Sequence, residues 1–121
     1  MKYNIVNLTP HEVVVRNGNY EIRIPPSGKV ARVQQEFKVF PSLKNGLGEI
    51  PVVGVARGKI ENLPEPKNGT IYIVSGIVLE AVKARSSRID VFSPDTSPEG
   101  VIRDENGKIE AVRRLVVALE V

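Results

Sequence analysis

Short apolar runs, some of them alternating with polar residues, are set apart at brief intervals along this chain by Gly, Pro and Asn. A period of two turns one side of each run toward a core and the other toward water, so the pattern predicts many short strands rather than long helices. The clearest case is Glu12-Val13-Val14-Val15-Arg16, followed by Asn17-Gly18 and then Asn19-Tyr20-Glu21-Ile22-Arg23-Ile24. With Asn17-Gly18 as a two-residue turn, Val15 faces Tyr20 and Val13 faces Ile22 on one side, while Glu12 faces Arg23 on the other. A second Asn-Gly, Asn106-Gly107, predicts another hairpin between Val101–Glu105 and Lys108–Val112, with Glu105 opposite Lys108 and Arg103 opposite Glu110.

Val30–Val33, Glu36–Phe40 and Ile50–Ala56 read as further strands, separated by the turn-forming Pro25-Pro26-Ser27-Gly28 and Asn45-Gly46-Leu47-Gly48. A meander or small barrel is expected for this half, with Pro51 at a sheet edge or strand start because proline cannot donate to a ladder. After the turn-rich Asn62–Gly69, Thr70–Val74 is a compact β-prone run. Ser75 then suits a helix N-cap ahead of Ile77, Val78, Leu79, Ala81 and Val82, which predicts one short helix near residues 76–84 packed on the sheet. Strand resumes at Ile89–Phe92, Ser93–Pro98 reads as a polar surface loop, and Leu115–Leu119 reads as a strand buried on both faces. The expected fold is α+β and β-dominated: a short-stranded antiparallel sheet or small barrel with β-hairpins and that one helix.

A length of 121 residues suits a single domain over residues 1–121 with one core. Apolar residues at 41% and charged residues at 26% match an ordinary globular chain, which argues against disorder. Cysteine is absent, and with it disulfides, thiolate metal ligands and thiol nucleophiles. The residues after Met1 pass directly into patterned sequence without the apolar stretch of a secretory leader, and no run nears the ~20 apolar residues that span a bilayer. An intracellular protein without membrane contact is expected. Nine prolines set in turns, abundant Val and Ile and one methionine fit a heat-adapted source.

Candidate chemistry is sparse. Three Gly-Lys pairs, at Gly28, Gly58 and Gly107, lack both the following Ser or Thr and the upstream glycine of a phosphate loop. His11 is the only histidine and reads as a turn or half-exposed residue, since neither a nucleophile nor an orienting acid can be placed beside it. Ser75 stands between strand and helix as a nucleophile elbow would, but Val74 and Gly76 do not complete that motif. A small hydrolase is therefore the weakest of three functional readings. Zinc lacks ligands, and Asp90, Asp95, Glu99 and Asp104 lack calcium-loop spacing, so no metal or other cofactor is expected.

Charge supplies the second reading. Residues 1–60 hold nine Lys or Arg against four Glu, which favours nucleic-acid contact through Arg16, Arg23, Lys29 and Arg32. Few aromatics accompany them, and there is no Lys/Arg-rich block. The favoured reading is a non-catalytic interaction or structural module that pairs with itself or with a viral or host protein through a sheet edge. Its candidate interface is the apolar terminal run, represented by Leu115, Val116, Val117 and Leu119.

Four phrases occur in order: Asn7-Leu8-Thr9-Pro10-His11, Leu63-Pro64-Glu65-Pro66, Ile71-Tyr72-Ile73-Val74-Ser75 and Arg103-Asp104-Glu105-Asn106-Gly107-Lys108-Ile109. Together they make the chain resemble a family of small uncharacterised proteins encoded by phages, prophages and other viral or mobile elements. The resemblance implies a viral or mobile-element accessory protein made in the host cytoplasm, with the virion as a second setting. It carries no activity and no site residue.

Overall fold

The computed structural model describes residues 2–85 and 88–118, and the domain is 52% strand and 9% helical, which makes it β-dominated α+β. Among the described residues ten strands and one helix follow in chain order: β1 (Asn4–Asn7), β2 (Val13–Asn17), β3 (Tyr20–Ile24), β4 (Arg32–Asn45), β5 (Gly48–Glu61), β6 (Thr70–Ile73), α1 (Gly76–Arg85), β7 (Val91–Pro94), β8 (Val101–Arg103), β9 (Ile109–Val112) and β10 (Leu115–Val117). One four-stranded sheet runs β1-β6-β7-β10, a second runs β3-β2-β9-β8, and β4 and β5 form a separate two-stranded ribbon. Both four-stranded sheets are mixed, and among the described residues no barrel closes. Parallel pairing joins β1 to β6, β6 to β7 and β2 to β9. The parallel β6–β7 pair needs a crossover, and α1 supplies it.

Alternation along β6 sorts the core into two layers. Tyr72 and Val74 point toward α1 and pack with Val78, Leu79, Val82, Leu8, Ala31 and Val91. Ile73, between them, points the other way onto Val13 and Ile24 of the second sheet. The first sheet thus lies between the helix and the second sheet. Val78, Val82, Ile73, Val74 and Val91 are all fully buried, and burial on this scale contributes about 1.5–3 kcal/mol per large aliphatic side chain.

The first hairpin forms with its faces as the alternation predicts and its turn one residue later. Asn17 pairs with Tyr20, Val15 with Ile22 and Val13 with Ile24, so Gly18 and Asn19 make the turn. Gly18 has φ +59°, the left-handed value that a type II′ turn requires at its first central position. The register slides by two residues relative to the Asn17-Gly18 turn, which leaves every side chain on its expected face. Glu12 and Arg23 still meet, diagonally, at 2.8 Å.

The second hairpin departs from the two-residue register. Ile102 pairs with Ala111 and Arg103 with Ile109, the extra residue forming a bulge, so neither Glu105–Lys108 nor Arg103–Glu110 is a facing pair. The cause is Asp104: its carboxylate accepts from the backbone N–H of Asn106 (2.8 Å) and of Lys108 (3.0 Å), closing a longer loop around Gly107.

The Asn7–His11 phrase is the crossing from the first sheet to the second, and hydrogen bonds from its own side chains fix that crossing. Asn7 is 1% exposed. Its amide donates to the carbonyls of His11 (2.9 Å) and Ile24 (3.0 Å), and its Oδ1 accepts from the Thr9 N–H at 2.9 Å and lies 2.7 Å from the Thr9 hydroxyl. Every bonding group of that buried amide is used. The Leu63–Pro66 phrase is likewise held in place, since Arg88 donates to the Pro64 carbonyl at 2.9 Å while pairing with Asp90 at 2.7 Å.

Candidate interaction surface

The expected meander or barrel in the first half is replaced by a long β arm. Val30–Val33, Glu36–Phe40 and Ile50–Ala56 are not separate short strands: from Arg32 onward they belong to just two strands of 14 residues each, paired antiparallel from Arg32–Glu61 at the base to Asn45–Gly48 at the tip. At about 3.3 Å per residue the arm is roughly 40 Å long. Gly46-Leu47 forms the tip turn, with the Leu47 N–H bonded to Asn45 Oδ1 at 2.7 Å. Pro51 has no ladder to interrupt on its outer side, because β5 has a single neighbour among the described strands.

The base of the arm is anchored to the body. Val33 and Ile60 pack against the α1 core cluster. Just above them the register slips between Val33–Ile60 and Gln35–Arg57, and the bulged β5 segment turns backbone carbonyls away from β4. Arg85, at the end of α1, donates to two of these, Arg57 O at 3.2 Å and Gly58 O. Asn62 closes the base: it holds φ +62° and donates to Val30 O at 3.1 Å.

Beyond the base none of the described residues covers the arm. On one face the facing pairs Phe37–Val55 and Val39–Val53 are 64, 54, 90 and 57% exposed. On the other face of the same stretch lie Glu36, Lys38, Gly54 and Ala56, the alternation of a strand pair with one side meant for burial. The next pair on this opposite face is Phe40–Val52, and a second slip between Phe40 and Leu43 brings Leu43 to the same face, paired with Ile50. Leu47 at the tip is 98% exposed. A two-stranded ribbon is marginal alone in water, and exposed apolar side chains in this concentration make the arm the candidate interaction surface.

The residues singled out from the sequence fall elsewhere. Leu115, Val116 and Val117 form β10, the outermost strand of the first sheet, and all three are half-buried. Leu115 packs on the Ile73 cluster and Val116 on the helix cluster, so each face of the strand is covered in part from within its own chain. Leu119 lies outside the described residues. Of the four basic candidates, Arg16 pairs with Glu21 (2.7 Å) and Glu110 (3.4 Å), and Arg23 with Glu12 (2.8 Å) and Glu21 (3.1 Å). The Arg16 guanidinium, with Arg23 beside it, holds the Glu21 carboxyl below its ordinary range. Lys29 stands in the connector before the arm and Arg32 at its base, both exposed.

His11 and Ser75 line different depressions. His11 borders one of about 220 Å³ with Glu12, Thr96 and Glu110, below the roughly 300–1,000 Å³ of small-molecule sites. Its backbone carbonyl accepts from Asn7, which accounts for its place in the turn. Ser75 borders a separate one of about 350 Å³ with Ile77, Val78 and Ala31. Among the described residues no three His, Asp or Glu side chains gather as metal ligands. No helix among them is long and apolar enough to cross a membrane.

In the alternation of its sequence the arm is indistinguishable from ordinary core-facing strands. The signal that could have found it is the turn Asn45–Gly48 lying midway between runs of equal length. Comparison with protein-family models, with curated proteins and with solved structures finds no match.

Proposed function

We propose that this chain is a non-catalytic interaction module that docks onto protein through the β4–β5 arm. The observation that carries the reading is the uncovered apolar face Phe37, Val39, Val53 and Val55 on a ribbon tied to the body only at its base. Removing such a face from water supplies the driving force of association, at about 25 cal/mol per Å² of apolar surface. Strand edges add directional main-chain bonding. The four ordered phrases support a viral or mobile-element setting, with the host cytoplasm or the virion as the place of action and a viral or host protein, or the chain itself, as partner.

An arm-shortened chain tests this. Facing residues Gln35 and Arg57 are joined by an Asn-Gly turn in place of residues 36–56, which leaves the anchored base intact. In cells that make the protein, tagged full-length chain is expected to migrate in complexes heavier than its 13.3 kDa, and the shortened chain to migrate alone with the same thermal unfolding of its body. Unchanged complexes after shortening would sink the proposal.

A further inference from the structure

The structure points to one occupant of the arm: we infer that the outer edge of β4 pairs antiparallel with the same edge of a second copy of this chain, about a two-fold axis at Phe37. This deepens the reading of the arm as the docking surface and depends on it. β4 bonds to β5 on one side, and none of the described strands lies on its other side. Between the two register slips that free edge reads Gln34-Gln35-Glu36-Phe37-Lys38-Val39-Phe40, all exposed and free of Pro and Gly. The outer edge of β5 over the facing stretch carries Gly54 and Gly58, which weaken a ladder. Of the arm's two edges, β4 is the one built to accept another strand.

Charge then selects both the partner and the register. A strand that pairs with its own copy does so about an axis normal to the sheet, and facing residues lie on the same face. Centring the axis on Glu36 sets Glu36 against Glu36, and centring it on Lys38 sets Lys38 against Lys38. One step further toward the base sets Lys38 against Arg32, and one step further toward the tip sets Lys38 against Phe40, with no opposite charge to meet it. Centring on Phe37 alone sets Glu36 against Lys38 of the second copy twice over, with the two Phe37 rings side by side and Val39 beside Gln35 on the apolar face. A lysine on an exposed edge normally blocks edge-to-edge pairing. Here its match lies two residues away in its own strand, so the block lifts for a second copy in this register. Two marginal ribbons become one four-stranded sheet, long enough to be stable.

Purified full-length chain is followed by light scattering at up to about 100 µM, where even weak pairing is populated. Wild type is expected to be dimeric. Lys38→Glu or Glu36→Lys alone should weaken pairing about tenfold or more, because each creates two like-charge contacts. The swap Glu36→Lys with Lys38→Glu should restore it, and the two single variants mixed should pair with each other. In a chain without cysteine, Phe37→Cys should form an intermolecular disulfide on mild oxidation and Val39→Cys should not, since only position 37 meets its own copy. A monomer at every concentration overturns the self-pairing while leaving arm-dependent heavier complexes in cells as they are. A dimer indifferent to the single charge reversals overturns the register, as does one in which the Val39→Cys chain cross-links and the Phe37→Cys chain does not.

Discussion

Gly100 lies so close to Asp95 that a Cβ built on it would come 2.3 Å from the carboxyl carbon and 2.6 Å from the backbone oxygen of that residue. Asp95 cannot retreat, since it is 6% exposed and held by Arg114 at 2.6 Å. Gly100→Ala is therefore expected to destabilise the fold by about 1–3 kcal/mol through overpacking against backbone. Gly76, at the start of α1 with open space around it, gives the contrast: Gly76→Ala should stabilise by roughly 0.4–1 kcal/mol. Urea unfolding of the two variants checks both signs, and a neutral Gly100→Ala would contradict the packing described.

Asp95 also predicts acid sensitivity. Hydrogen bonds from Ser97 and then from Arg114 lower its pKa from 3.8 to about 2. The folded state thus favours the charged carboxylate, and the unfolded chain takes up the proton first as pH falls. Stability from this group is fully present above about pH 4 and is lost as pH falls through 2. Arg88 lowers the Asp90 pKa in the same direction through paired hydrogen bonds. Asp95→Asn should flatten the fall in unfolding free energy between pH 4 and pH 2. An unaltered slope would show that Ser97 and Arg114 do not hold the Asp95 carboxylate in solution as they do here.

Asn7 is expected to be the least replaceable polar residue of the first sheet. Its side chain bonds to two carbonyls and to the Thr9 N–H at a point where solvent has no access. Asn7→Ala takes that partner from the Ile24 carbonyl and the Thr9 N–H, at about 1–3 kcal/mol for each group left unsatisfied, while the His11 carbonyl keeps the Thr9 hydroxyl at 3.0 Å. Thermal melts should place it well below Asn19→Ala, whose residue sits in an exposed turn. Equal melting temperatures would refute the accounting.

Local structure was legible in the residues where local physics decides it. Ser75 followed by spaced aliphatics marked α1 to within one residue of its observed end at Arg85. The Val13, Val15, Ile22 and Ile24 alternation assigned faces correctly even though Gly18, rather than Asn17, opens the turn. Ser93–Pro98 reads as a polar surface loop, yet Ser93 and Pro94 end β7 and Asp95 in the loop is buried, with its carboxylate accepting from the backbone N–H of Ser97 two residues on. What the residues did not disclose is non-local. Nothing near Asn4 or Val15 announces Thr70 or Val112 as partners. Alternation in Phe37 and Val39 states that one face wants cover, and it is silent on whether the cover comes from within the chain.

The pairing of β1 with β6 and of β2 with β9 has a consequence for how the molecule is made. Synthesis delivers the first strands of both four-stranded sheets early and their central partners late, Thr70 for Asn4 and Val112 for Val15. Neither sheet can close on a ribosome-bound chain until those partners emerge, and such long-range closure is slow. The β2–β3 and β4–β5 hairpins need only near neighbours and can zip on microsecond timescales. The strands of the arm can therefore meet while the body that will anchor their base is still open, and the ribbon gains its lasting support only when α1 and the late strands arrive.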